Sequence, residues 1–384
     1  MIRSLITTIL LLHSAITAYA EDLTIGLVFL EHDPRFDERL AYARIPFISK
    51  NNPVYAAEMA ISDMQWKSVA SGLTVHLETV VSRKDDIYLD VMDLIEKNVS
   101  SIILDLPGEL VQYLMKKIKD DRVTLFNATS RDDSLRLSCN RNLYHIAASN
   151  RMVSDALVQY LVEMGFKKIL ALHGPSPQDK ALIKSFQRSA ARFNLQIKAI
   201  REFSNSNSPE LREKNNVKLL TNTNFDYHVV FIADAMGEFA RNVPYRTAKP
   251  RLVIGSAGLT ASEWHWSLER YGAPQLNSRY EKKLKDANKM NWQDWSIWLA
   301  TKIAILDRIR KNSPAKENAL TDLNLDGSTG RTLSFRSWSK QLRMPLILST
   351  QNTSVEIAPL KKFIHEFNTL DSLGYDEKEF KCDG

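Results

Sequence analysis

Runs of β-branched and aliphatic residues at 23–30, 73–80, 101–106 and 123–128 alternate with segments of helical length at 54–66, 85–97 and 108–119. Strands buried on both faces read as such runs, and strands alternating with helices in this way make βαβ units. The pattern predicts a parallel sheet with helices on both faces. It restarts after 143–146, with a helix at 150–164, a strand at 168–172, a helix near 178–193 and strands at 197–203, 227–232 and 251–254. Two doubly wound α/β units of similar size are therefore expected. The polar stretch 204–209 is too short for a domain linker and reads as a surface turn. Beyond Gly255-Ser256-Ala257-Gly258 come a tryptophan-rich helical region to residue 311 and strand-like pieces at 331–335 and 345–348. No repeat of fixed short period is visible.

Length agrees with two units, since 384 residues make about two domains at roughly 100 to 200 residues each. Hydrophobic residues at 44% and charged residues at 25% are ordinary for a globular chain and exclude wholesale disorder or a polytopic membrane protein. Glycine is scarce, 13 in all, which disfavours loops that press bare backbone against phosphates. Residues 1–20 read as a cleaved Sec signal peptide: Arg3 in a short basic start, an apolar stretch at 5–16, and Ala18-Tyr19-Ala20 as the cleavage site. Cleavage after Ala20 would remove one of 51 basic residues and none of 45 acids, leaving 50 minus 45, or +5. That excess is intermixed with acids, with no arginine-rich arm, so nucleic acid is not an expected partner.

Catalytic signatures are missing: no nucleophile elbow, Walker loop, dinucleotide fingerprint or zinc-protease helix is present. No enzyme activity, cofactor or metal is therefore expected. Asp322, Asn324, Asp326 and Gly327 match the start of a calcium loop, but Leu333 stands where the closing glutamate belongs, and a turn explains the same residues. Ligands of open α/β sheets sit outside the carboxyl ends of the strands. The strand-end loops are 31–35, 105–108 and 127–130 in the first unit, and 173–175 and 233–235 in the second. They make His32, Thr129, Ser130, His173, Asp234 and Ser256 the candidate contacts, with ordinary N-capping as the competing role for Ser130 and Asp234. Trp292, Trp295 and Trp298 recur at helical spacing and read as core. Trp264, following the glycine turn, is the candidate aromatic cleft wall.

Several segments carry a resemblance: the opening Leu23-Thr24-Ile25-Gly26, the helix Tyr55-Ala56-Ala57-Glu58-Met59-Ala60, the strand end Phe126-Asn127-Ala128-Thr129-Ser130, and Tyr144-His145-Ile146-Ala147-Ala148-Ser149. In this order they resemble a type I periplasmic binding protein of the branched-chain amino-acid class. Asp132-Asp133-Ser134-Leu135-Arg136, Trp264-His265-Trp266, Asp326-Gly327-Ser328-Thr329-Gly330-Arg331 and Leu370-Asp371-Ser372-Leu373-Gly374-Tyr375 resemble the subgroup associated with PQQ-dependent alcohol dehydrogenase systems. The resemblance implies two doubly wound lobes joined by a three-crossing hinge, with crossings near 147–150, 255–258 and 337–341. It implies a first lobe of residues 21–147 plus 257–338 and a second of 148–256 plus 339–384. It also implies the substrate-binding component of an ABC importer, a monomer of the periplasm. Its partners would be a small-molecule solute, the membrane permease and, by association, a periplasmic quinoprotein dehydrogenase. A ligand sensor or accessory protein of such a dehydrogenase is the alternative. Where amino-acid binders of this class carry small hydroxyl residues after the third strand, this chain has Leu106-Pro107-Gly108-Glu109, and proline cannot donate a backbone hydrogen bond. Cys139 and Cys382, the only cysteines, are expected to pair in an oxidising periplasm and pin the polar C-terminal tail.

Overall fold

A computed structural model describes residues 21–44, 48, 50–120, 122–138, 142–206, 208–284, 289–312 and 320–381. The expected signal peptide and both cysteines of the expected disulfide, Cys139 and Cys382, lie outside the described residues. The first lobe runs β1 (Glu21–Leu30), α1 (Pro53–Ala70), β2 (Leu73–Ser82), α2 (Ile87–Glu96), β3 (Ser101–Asp105), α3 (Gly108–Lys117), β4 (Thr124–Asn127), α4 (Asp133–Leu137) and β5 (Leu143–His145). Its five strands are all parallel, in the order β2-β1-β3-β4-β5. Alternation along β1 fills both faces. Leu23, Ile25 and Leu27 pack on the side of α1, while Val28 and Leu30 join residues of α2 and α3.

The second lobe runs α5 (Asn150–Glu163), β6 (Lys168–His173), α6 (Pro177–Arg192), β7 (Gln196–Glu202), α7 (Val217–Thr221), β8 (Val229–Ala233), α8 (Val243–Arg246) and β9 (Leu252–Gly255). Its parallel sheet has the order β7-β6-β8-β9. Here too the core divides between two faces. Phe186 of α6 stacks on Phe231 of β8 on one side, and Leu170, Leu172, Val230 and Ile232 meet Phe203 and Phe239 on the other.

The rest of the chain is shared between the lobes. It comprises β10 (Thr260–Ser262), α9 (Ala273–Leu284), α10 (Trp292–Lys311), β11 (Leu325–Asp326), β12 (Thr332–Phe335), β13 (Leu342–Arg343), β14 (Leu346–Ser349) and β15 (Ser354–Ala358). Helix α10 lies along α1 and against β1 and β3, on the first lobe. Strands β10, β14 and β15 form an antiparallel sheet against α5, on the second. Among the described residues no helix is long and apolar enough to cross a membrane.

Two of the expected crossings fall where the chain is still paired with itself. At Gly255 to Gly258 it makes a turn. Gly255 and Gly258 adopt φ +110° and +74°, and the chain folds back on β9, Leu259 N donating to Val253 O at 2.9 Å and Gly255 N to Leu259 O at 3.0 Å. The glycines mark a tight loop that ends with Leu259 bridging Ile254 in parallel, and β10 follows it, paired with β14. Likewise β13 pairs with β12 on either side of 337–341, and β14 pairs with β10 and β15.

Candidate functional site

Three segments that pass between the lobes are fastened to one another by buried polar groups. Glu263, with none of its surface exposed, accepts Ala148 N at 2.7 Å and pairs with Arg131. Arg131 lies over the Trp292 ring at 3.7 Å. Gln341 donates to Ala147 O at 3.0 Å and accepts from Arg136 Nε at 2.9 Å. Arg136 is itself buried and reaches Ala147 O, Ser130 O and Asp132 O. Burial pushes its pKa down to about 10, against the pull of Asp133 and Asp132, so it remains a cation at neutral pH. One guanidinium therefore ties the β4 strand end to two of the crossings.

The carboxyl ends of β1, β3 and β4 meet in a second network. Asp33 caps the short turn Pro34–Phe36 by accepting Arg35 N at 2.8 Å. The Arg35 guanidinium then turns inward, to Asp33 Oδ2 at 2.5 Å, Asp105 Oδ1 at 2.7 Å and Thr129 Oγ1 at 2.7 Å. Thr129 donates to Asp105 Oδ1 at 2.6 Å, and Asn51 donates to Asp105 Oδ2 at 2.6 Å. Burial disfavours the charge on Arg35, but Asp105 and Asp33 outweigh it and raise the pKa above the ordinary arginine value. Asp132 sits over the first residue of α3, where a Cβ on Gly108 would lie 1.8 Å from Asp132 Oδ2.

The second lobe's strand ends are likewise occupied. Asp179 closes the capping box of α6 on Ser176 and accepts Ala235 N at 2.7 Å. Asp234 accepts the amides of Gly237, Phe239 and Ala240, and burial pushes its pKa up to about 6 despite them. Glu238 accepts the amides of Tyr42 and Ala43, both at 2.7 Å, which brings the strand ends of the two sheets to one side of the molecule.

Thr129 and Ser130 are buried at the β4 end, inside the first-lobe network, and Ser130 O and Oγ serve Arg136, Asn127 and Asp132. His173 is half-buried at the β6 end, its Nδ1 2.7 Å from Gly174 O. Asp234 and Ser256 are joined, the serine hydroxyl accepting Asp234 N at 2.9 Å. His32 is exposed at the β1 end. Trp264 is 2% exposed and stacks on Trp295 of α10, so its ring is packed in the core and not presented as a cleft wall. Trp295 and Trp298 are core, as their spacing predicts. Asp326 accepts Ser328 N in the turn between β11 and β12, the role a turn former would have. Among the described residues no three His, Cys, Asp or Glu side chains gather to hold a metal ion.

Sequence reasoning passed over Arg35, Asp105, Glu238, Glu263 and Gln341. The first two lie in strand-end loops already singled out, and an arginine two residues after an aspartate in such a loop was a usable signal. The last three act on partners from 115 to 205 positions away, which no local pattern reveals.

No protein-family model matches the chain, and no curated protein matches it. Solved structures do. A branched chain amino acid ABC transporter periplasmic ligand-binding protein from Burkholderia xenovorans superposes with a TM-score of 0.67 at 14% identity, over 87% of this chain and 95% of that one. An ABC transporter substrate-binding protein from Desulfitobacterium hafniense in complex with Leu gives 0.66 at 14%, over 87% and 99%. A solute binding protein of an ABC transporter from Rhodopseudomonas palustris in complex with 3,4-dihydroxy benzoic acid gives 0.65 at 10%, over 88% and 97%. At such identities the likeness is one of architecture: the chain has the α/β fold, with parallel-sheet lobes, of the type I periplasmic binding proteins.

Proposed function

We propose that this protein is the periplasmic solute-binding component of an ABC importer, holding one small solute between its lobes without chemistry and presenting the closed form to a membrane permease. The observation that carries the reading is the convergence of Asp33, Arg35, Asp105, Thr129 and Asn51 at the carboxyl ends of the first sheet, where open α/β sheets take their ligands. The solved neighbours that hold leucine or dihydroxybenzoic acid support the transport role. We take the lobes as residues 21–147 with 263–344, and 148–262 with 345–381, a division that the pairing of β10 with β14 and of β12 with β13 supports. The motifs that resemble the subgroup associated with PQQ-dependent alcohol dehydrogenases would link the protein to alcohol oxidation by association alone.

The solute is not a carboxylate held in the manner of leucine. Arg35 is saturated by two aspartates, Asp132 covers the start of α3, and the amides after β8 are taken by Asp234. A ligand anion would have to displace a carboxylate of the protein at each point, and desolvating a second negative charge beside the first is costly. A neutral, hydroxyl-bearing solute meets no such barrier. The test is mass spectrometry of the protein purified undenatured from the periplasm, with thermal-shift titrations of leucine and 4-hydroxybenzoate. A retained solute without a carboxylate, and no shift from either acid, is expected. Micromolar binding of leucine or hydroxybenzoate would overturn the ligand assignment, and absence of any solute would favour the accessory-protein reading.

A further inference from the structure

The segment after β1 does not stay on its own lobe. It is rooted on the first lobe at both ends, by Arg35 and by Asn51, and both roots converge on Asp105. Its described tip, Ala41–Arg44, reaches the second lobe, where Tyr42 N donates to Glu238 Oε2 and Ala43 N to Oε1, each at 2.7 Å. Glu238 is 7% exposed and also accepts Asn205 Nδ2 at 3.3 Å. The carboxylate is thus engaged by two consecutive amides and a side-chain amide, an arrangement of charge-assisted hydrogen bonds that fixes direction as well as distance. The receiving loop is rigid, since Asp234 holds the amides of Gly237, Phe239 and Ala240. Arg44, next in the chain, has φ +56°, which bends the backbone at the end of the tip.

We propose that Glu238 is a latch: it grips the Tyr42–Ala43 amides of the first lobe and holds the two lobes closed over the strand ends. This tie shares no residue with the network of Glu263, Gln341 and Arg136 at the crossings, so it adds a second, breakable link between lobes that the crossings join permanently. Its consequence for solute entry rests on the solute-binding reading, but the latch itself does not. Releasing it costs two hydrogen bonds and returns a carboxylate to water, a partial compensation that leaves it openable. Two consecutive amides on one carboxylate are also a demanding geometry, which makes the latch specific to the closed state.

The test needs no solute. Hydrogen exchange on the full chain, wild type against Glu238→Ala and the near-isosteric Glu238→Gln, is read at Tyr42 and Ala43, with small-angle scattering for the overall dimension. Protection at the two amides should fall about tenfold or more in Glu238→Ala and less in Glu238→Gln, with β1 amides unchanged and the radius of gyration increased. Unchanged exchange would overturn the proposal, and so would faster exchange without expansion, since that describes a pinned loop. If Glu238→Ala does not fold, Glu238→Gln must show the same direction in both measurements for the proposal to stand.

Discussion

Replacing Glu263 with alanine removes the group on which the first two crossings meet. Its carboxylate is wholly buried, so two consequences follow at once. The Ala148 amide, bonded at 2.7 Å, loses this acceptor, which costs about 1–3 kcal/mol where water cannot reach it. Arg131 loses its anion. Breaking a fully buried pair costs about 3–5 kcal/mol, but the Arg131 side chain is 21% exposed and rests on Trp292, so part of its charge stays solvated and part stays over the ring. The expected total is about 2–4 kcal/mol. Glu263→Gln can still accept the Ala148 amide while turning an NH2 toward a guanidinium, and should fall between wild type and alanine. Urea unfolding followed by tryptophan fluorescence measures both. A cycle with Arg131→Ala should return a coupling of about 1–2 kcal/mol. A cost for Glu263→Ala below about 1 kcal/mol, or additivity in the cycle, would show that the pair does not hold the crossings together.

Three further outcomes are expected. Asp234 and Asp294 both have pKa values pushed by burial from 3.8 to about 6, so each contributes stability that is full below about 3.8 and is lost as pH rises through about 6. The loss is up to about 3 kcal/mol per group, and Asp294→Asn should flatten the stability difference between pH 4 and pH 7; an unchanged pH profile would contradict the burial argument. Gly255→Ala should destabilise by roughly 2–4 kcal/mol in chemical denaturation, because φ is +110° and an added Cβ would lie 2.3 Å from Ile232 O. A proposed Cys139–Cys382 bond predicts near-zero thiol in the denatured, unreduced protein, and two free thiols per chain would exclude it.

The strands were legible because parallel strands buried on both faces leave few choices. All of β3 (Ser101–Asp105) and all of β8 (Val229–Ala233) are buried, and each stands out as an uninterrupted run. The short antiparallel pieces β10 and β13 were not, at three and two residues, since their pairing depends on partners elsewhere in the chain and carries no period of its own. A Gly-Ser-Ala-Gly run signals a change of direction, and direction alone does not say whether the chain returns to its own lobe or leaves it.

The site divides in the same way. Thr129, Ser130 and His173 could be named because a strand end is a local feature with a general use. What could not be read is how completely the protein answers its own polar groups. A net charge of +6 suggests a surface welcoming to anions, yet around the strand ends the six carboxylates of Asp33, Asp105, Asp132, Asp179, Asp234 and Glu238 outnumber the guanidiniums of Arg35, Arg131 and Arg136. Net charge sums over the whole surface, whereas a ligand responds to the few groups within a Debye length of it. Four of those six carboxylates are hydrogen-bonded to backbone amides, so they serve the fold first. Shared architecture therefore carries the parallel-sheet lobes across chains of 10–14% identity, while the polar groups at the strand ends are set by each sequence.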